Sequence, residues 1–153
     1  MGLLEATEGK AFVFNLHPQK DEIEIKRNIG YVSEEPLIYK SLTPKELFNF
    51  ISSIREIGGP KVTRRLQEYV DSLNVVEYYD RLISTLSRGN KQKIQIIASL
   101  LHKPKLLIMD EPLAGLDAKS VRVVKEILEI HRYRGGSVLF LSHIMEIAEE
   151  ICD

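Results

Sequence analysis

Two short apolar runs in this sequence end abruptly in residues that can do chemistry. Leu106-Leu107-Ile108-Met109 is followed by Asp110 and Glu111, and Val138-Leu139-Phe140-Leu141 by Ser142 and His143. A carboxylate at the end of a rigid strand can hold a divalent cation such as Mg²⁺ against nucleotide phosphates, directly or through water. A second carboxylate one residue later can polarise an attacking water. A histidine at the end of a neighbouring strand can reach the same phosphates. A third group, Ser87-Arg88-Gly89, lies where a helix opens, and N–H groups at a helix start attract phosphate. Taken alone, an apolar run ending in Asp-Glu is also an ordinary solvated strand end, so the surrounding pattern has to decide.

The elements that would position these groups are legible. Leu106–Met109 and Val138–Leu141 read as strands buried on both faces. The helix between them is marked by Val124, Ile127, Leu128 and His131, and Gly135-Gly136 closes it. Strand, helix, strand is a βαβ unit, which requires a parallel sheet. Such sheets bind ligands at the carboxyl ends of their strands. Ile94, Ile97, Ala98 and Leu101 give one face of a helix beginning near Ser87. Ala11–Phe14 and Ile29–Ser33 read as two further strands. Thr43, Pro44 and Glu46 form an N-cap, first-position proline and capping box, and Leu66, Tyr69, Val70 and Leu73 mark a second helix after Gly58-Gly59-Pro60. Residues 43–86 therefore read as all-helical. Ile144, Ile147, Ala148 and Ile151 mark a last helix.

Composition narrows the class. The 153 residues are 44% hydrophobic and 28% charged, enough apolar surface for one packed domain. Lys and Arg number 21 against 22 Asp and Glu, so there is no basic field and no nucleic-acid partner is expected. The single cysteine, Cys152, excludes an internal disulfide framework. No apolar run approaches the roughly 20 residues of a membrane span, so a membrane role would act through a partner.

In order along the chain, these motifs resemble those of ATP-binding cassette (ABC) ATPases. Leu106 to Asp117 is similar to the family's Walker B element and D-loop. Leu86-Ser87-Arg88-Gly89-Asn90-Lys91-Gln92 resembles its signature motif, Leu141-Ser142-His143 its switch histidine, and Gly30-Tyr31-Val32-Ser33-Glu34-Glu35-Pro36 its Q-loop. The resemblance implies a P-loop NTPase-like parallel sheet with a helical subdomain over 37–86, and a signature, Walker B, D-loop and switch portion over 87–153. It implies ATP and Mg²⁺ as cofactors, Glu111 and His143 as catalytic residues, and Asp110 and Glu34 as metal ligands. Ser87, Arg88, Gly89 and Gln92 would face outward, toward nucleotide held by a second ABC ATPase subunit, and Asp117 would contact that subunit. A transmembrane permease is the implied partner, with a cytoplasmic location at the membrane. Two positions depart from the usual pattern. Arg88 replaces the first glycine of the signature, and Glu34 replaces the Q-loop glutamine, a variant that resembles exporter-associated members. His17, His102 and His131 have no motif around them and read as surface or packing residues.

No G-x-x-x-x-G-K-[ST] phosphate loop occurs within the 153 residues. The resemblance implies that this loop precedes a segment like Gly2–Gly9, and that family members continue past Asp153. The expectation is a chain that does not turn over ATP alone. The alternative is a non-catalytic module that lends its signature surface to a complete partner.

Overall fold

The computed structural model describes residues 7–143. Its elements in chain order are α1 (Glu22–Arg27), β1 (Ile29–Val32), α2 (Pro44–Ile54), α3 (Pro60–Ser72), α4 (Arg88–Leu100), β2 (Leu106–Asp110), α5 (Ala118–Tyr133) and β3 (Ser137–Leu141), with 3-10 turns at Val76–Tyr78 and Ile83–Thr85. The last helix expected from Ile144, Ile147, Ala148 and Ile151 lies outside the described residues.

The three strands form a parallel sheet in the order β1-β2-β3. All three therefore end on the same edge, as the βαβ reading requires. Register places Val32, Met109 and Phe140 in one row, with Gly30, Leu107 and Val138 in a row on the same face. Helices α4 and α5 close this face. Ile94, Ile97 and Leu101 from α4 join Val124, Ile127 and Leu128 from α5, Leu107 and Met109 from β2, and Val32 from β1 in one core.

The opposite face is different. Both β2 and β3 were expected to be buried on two sides. Instead, β2 alternates between half-buried and buried residues, while Leu139 and Leu141 of β3 are 53% and 45% exposed. The apolar run signals a strand built for two covered faces, and among the described residues only one face is covered.

Residues 43–86 are helical, as expected. Thr43 Oγ1 accepts from Glu46 N at 3.2 Å, and Glu46 Oε2 accepts from Thr43 N at 2.8 Å, completing the capping box. Leu47 and Phe48 of α2, Val70 of α3, and Leu73, Val75 and Tyr78 carry this part into the common core. Ile83 N donates to Leu42 O at 2.9 Å, tying the end of the helical stretch to its beginning.

One local expectation fails, and one helix was not expected. Ala11–Phe14 is not a strand. Val13 and Leu16 bridge each other around Phe14 and Asn15, which have φ of 56° and 62°, so the segment turns back on itself. The sequence also gave no sign of α1. Its Glu-Ile-Glu-Ile alternation has the period of a strand, but the Lys26–Glu22 ion pair one turn apart and the contact of α1 with β1 favour the helix.

Gly30 marks the tightest packing of the sheet. A Cβ there would stand 2.5 Å from Ser99 O and 2.7 Å from Leu107 Cδ2. Gly30→Ala is expected to lower stability by about 1–3 kcal/mol, because the obstacles are backbone and a buried branched side chain. Urea midpoints of the two proteins check this, and an unchanged midpoint would show that α4 stands further from β1.

Candidate functional site

The carboxyl edge of the sheet gathers the polar groups. The residue after β2, Glu111, lies at φ 45°, a left-handed conformation that is strained for a side chain of this type. Its N–H donates to Leu141 O at 3.0 Å, which joins the ends of β2 and β3. Its carboxylate is held on both oxygens. Ser142 Oγ donates to Oε2 at 3.1 Å, His143 N donates to Oε1 at 2.6 Å, and His143 Nδ1 stands 2.7 Å from the same Oε1. Burial opposes ionisation of Glu111. The hydrogen bonds from the His143 ring, the His143 backbone and Ser142 outweigh it, and its carboxyl lies below the usual range. The two strand-end groups thus come together as one unit.

The start of α4 lies beside them. Ser87 is its N-cap, with Oγ accepting from Asn90 N at 3.2 Å. Gly89 is where backbone meets backbone: a Cβ would lie 2.4 Å from Gly115 O in the D-loop. Arg88 reaches across the surface to the Q-loop, 3.4 Å from both Glu34 and Glu35 carboxylates. The two positions that depart from the usual motifs therefore touch.

Gln92 does not face outward with the rest of the signature. It is 1% exposed, and its Nε2 donates to Ser33 O and Pro112 O, both at 3.3 Å. It is a tie between loops, not a surface group. Its position one turn on from Gly89 puts it on the same side of α4, where Gly89 meets Gly115 O and Gln92 meets Pro112 O.

Asp117 caps α5. Its carboxylate accepts from Ser120 N at 2.9 Å and Ser120 Oγ at 2.7 Å, and pairs with Lys93 at 3.1 Å. The Ser120 hydrogen bonds, then Lys93, hold its carboxyl well below the usual range. The ammonium-bearing side chain of Lys93 is only 9% exposed.

Sequence reasoning missed Lys93 and Gln95. Gln95 Nε2 donates to Ser33 Oγ at 2.9 Å, and its Oε1 accepts from Leu37 N at 3.2 Å. Gln92, Gln95 and Ser99 form a polar stripe at helical spacing along the apolar side of α4, and that stripe was the available signal. The expected packing roles of the histidines fit: His102 Nε2 lies 3.0 Å from Ile29 O, and burial, with Arg55 nearby, lowers its pKa to about 4. His131 packs against Gly136.

Asp110 and Glu34 were the expected metal ligands. Among the described residues no group of three or more His, Cys, Asp or Glu side chains could hold a metal ion. Glu34 is turned toward Arg88. Mg²⁺ is commonly held by one or two carboxylates together with substrate phosphates and water, and Asp110, the last residue of β2, would hold it from this chain.

The profile of the ABC transporter family matches residues 1–114, three quarters of the chain. The chain belongs to the ABC transporter family. It is 35% identical to the uncharacterized ABC transporter ATP-binding protein YhaQ of Bacillus subtilis, over 100% of this chain and 50% of that protein. A solved ATP-binding subunit of an ABC transporter superposes with a TM-score of 0.93 at 26% identity, covering 99% of this chain and 63% of the other. The ATP-binding cassette MJ0796, a dimer in a post-hydrolysis state with ADP and Pi, shares the fold with a TM-score of 0.79 at 21% identity, over 97% of this chain and 68% of that one. This ABC chain spans about half the length of the curated relative it matches.

Asp117→Ala is expected to lower stability at neutral pH by about 1 kcal/mol, the usual loss for an N-cap. The carboxyl is depressed in the folded state, so its contribution is complete above the ordinary carboxylate range and is lost as pH falls through that range toward the lower folded value. The gap between the urea midpoints of parent and variant should therefore begin to close below about pH 4 and narrow further as pH falls. A gap that ignores pH would show that the charge of Asp117 does not cap α5.

Proposed function

We propose that this chain is the signature, water-positioning and partner-facing part of an ATP-hydrolysing ABC transporter subunit, coupling ATP hydrolysis to transport through a membrane permease. The observation that carries the reading is the carboxylate of Glu111, held on both oxygens by Ser142 and His143 at the carboxyl edge of the sheet. Glu111 orients the attacking water and takes its proton. His143 fixes that carboxylate and stands within reach of a γ-phosphate. Ser87, Arg88 and Gly89 meet the nucleotide of a second ABC subunit, and Asp117 lies on the same seam. Residues 37–86 act as the helical subdomain. Arg88 and Glu34 link signature and Q-loop, in keeping with an exporter. The family's phosphate loop supplies the remaining grip on nucleotide.

The decisive test is Glu111→Gln in the complete protein, with a phosphate loop present. ATP turnover should fall by about 100-fold or more while nucleotide affinity changes little, because a general base contributes to the chemical step and not to binding. Turnover within a few-fold of the parent would remove Glu111 from the role of base.

No helix among the described residues is long and apolar enough to cross a membrane. A permease contact is therefore sought on the surface. A cleft of about 380 Å³ lies between the segment after Glu34, α2 and α4, with Leu37, Tyr39 and Ile54 exposed at its walls. It is continuous with the site, because Leu37 N is bound by Gln95, whose Nε2 reaches Ser33. We assign the permease to this cleft, with the protein at the cytoplasmic side of the membrane. Leu37→Glu with Ile54→Glu should lower the membrane-bound share of the complete protein several-fold in cell fractionation, with ATP binding retained. An unchanged membrane share would place the permease elsewhere.

A further inference from the structure

A second cleft, of about 390 Å³, opens at the other end of the sheet. It lies where α3, the end of α4, the start of β2 and the end of α5 converge, away from the edge carrying Glu111. Its lining includes Arg65, Lys103, Lys105, His131 and Arg134, with no carboxylate. This concentration is notable in a chain whose net charge is -1. The cations are not neutralised locally. Among the described residues Lys103 and Arg134 have no ion-pair partner, and the ammonium of Lys105 faces the ring of Phe14 at 5.9 Å. Arg65 spends one N–H on Leu101 O at 2.5 Å, while its buried Nε has no partner. The nearest acid along α3, Glu68, is held by Arg64 at 3.0 Å.

We propose that this cleft is an anion site for a small phosphorylated molecule, separate from the nucleotide site. Its volume is within the ordinary range for small-molecule sites, roughly 300–1,000 Å³. Forked guanidinium groups match phosphate oxygens in pairs, while lysines add point charge at the rim. A ligand with several phosphate oxygens can meet Arg65, Arg134 and Lys103 together, and supplies acceptors where the protein leaves donors unmatched. The proposal does not depend on ATP hydrolysis at Glu111.

The test is titration of the purified chain with inorganic pyrophosphate, without Mg²⁺, at about 150 mM salt to suppress diffuse attraction. Calorimetry gives the affinity and amide NMR shifts give the place. Saturable binding with a Kd below about 1 mM, with shifts at Arg65, Lys103 and Gly135-Gly136, is expected. Lys103→Gln with Arg134→Gln should weaken it by about tenfold or more. Arg134→Lys, which keeps the charge but loses the fork, should fall between the parent and the double variant, and Lys119→Gln, at the opposite end of α5, should leave the affinity unchanged. Parent binding that does not saturate by about 5 mM, shifts confined to the start of α4, or equal affinity in the double variant would each overturn the proposal. If the double variant does not fold, the parent's shift map and Arg134→Gln alone decide.

Discussion

The side-chain amide of Gln92 governs how the site is assembled. Its Nε2 is shared between Ser33 O, just past the end of β1, and Pro112 O, just past the end of β2. Parallel strands leave their last carbonyls at one edge, with no following hairpin to satisfy them. A buried carbonyl left unmatched costs about 1–3 kcal/mol, so a donor must come from elsewhere. Gln92 brings it from α4. The same contact fixes the first turn of α4 over the strand ends, with Ser87, Arg88 and Gly89 beside them. Gln95 repeats the arrangement one turn later on Ser33 and Leu37.

This dependence explains which parts were legible in the sequence. The strands β1, β2 and β3, the helices α2 to α5, and the caps at Thr43, Ser87 and Asp117 are local patterns, readable from spacing and residue type. That Glu111 and His143 share the carboxyl edge followed from their motifs and the parallel topology; their direct hydrogen bonds did not. What could not be read are contacts made across the chain by polar side chains on apolar helix faces. Gln92 was expected at the surface because its motif faces outward. It is buried because it shares with Gly89 the side of α4 that meets the loop after β2. Lys93 looked like one charge among many, and only its seat beside Asp117 makes it a structural cation. Segment 11–14 misled and 22–27 went unread for a related reason: short alternations carry little information until neighbours choose between turn, strand and helix.

The sheet is asymmetric. One face is closed by α4 and α5, and the other presents Tyr31, Ile108 and Leu139 in a single row. Such a row belongs in a covered sheet. Among the described residues Glu111, His143 and the start of α4 therefore sit on a layer packed from one side, and the chain spans about half of its curated relative.

The meeting of Gly89 with Gly115 has a mechanical meaning. With no side chain on either residue, the backbone of the first turn of α4 rests directly on the loop that follows Glu111. There is no rotamer between them to absorb motion. A shift of that loop when the neighbourhood of Glu111 changes state passes to Ser87 and Arg88 as a rigid push, and a push on α4 from outside returns along the same line. The two glycines act as a bearing between the start of α4 and the loop that follows Glu111.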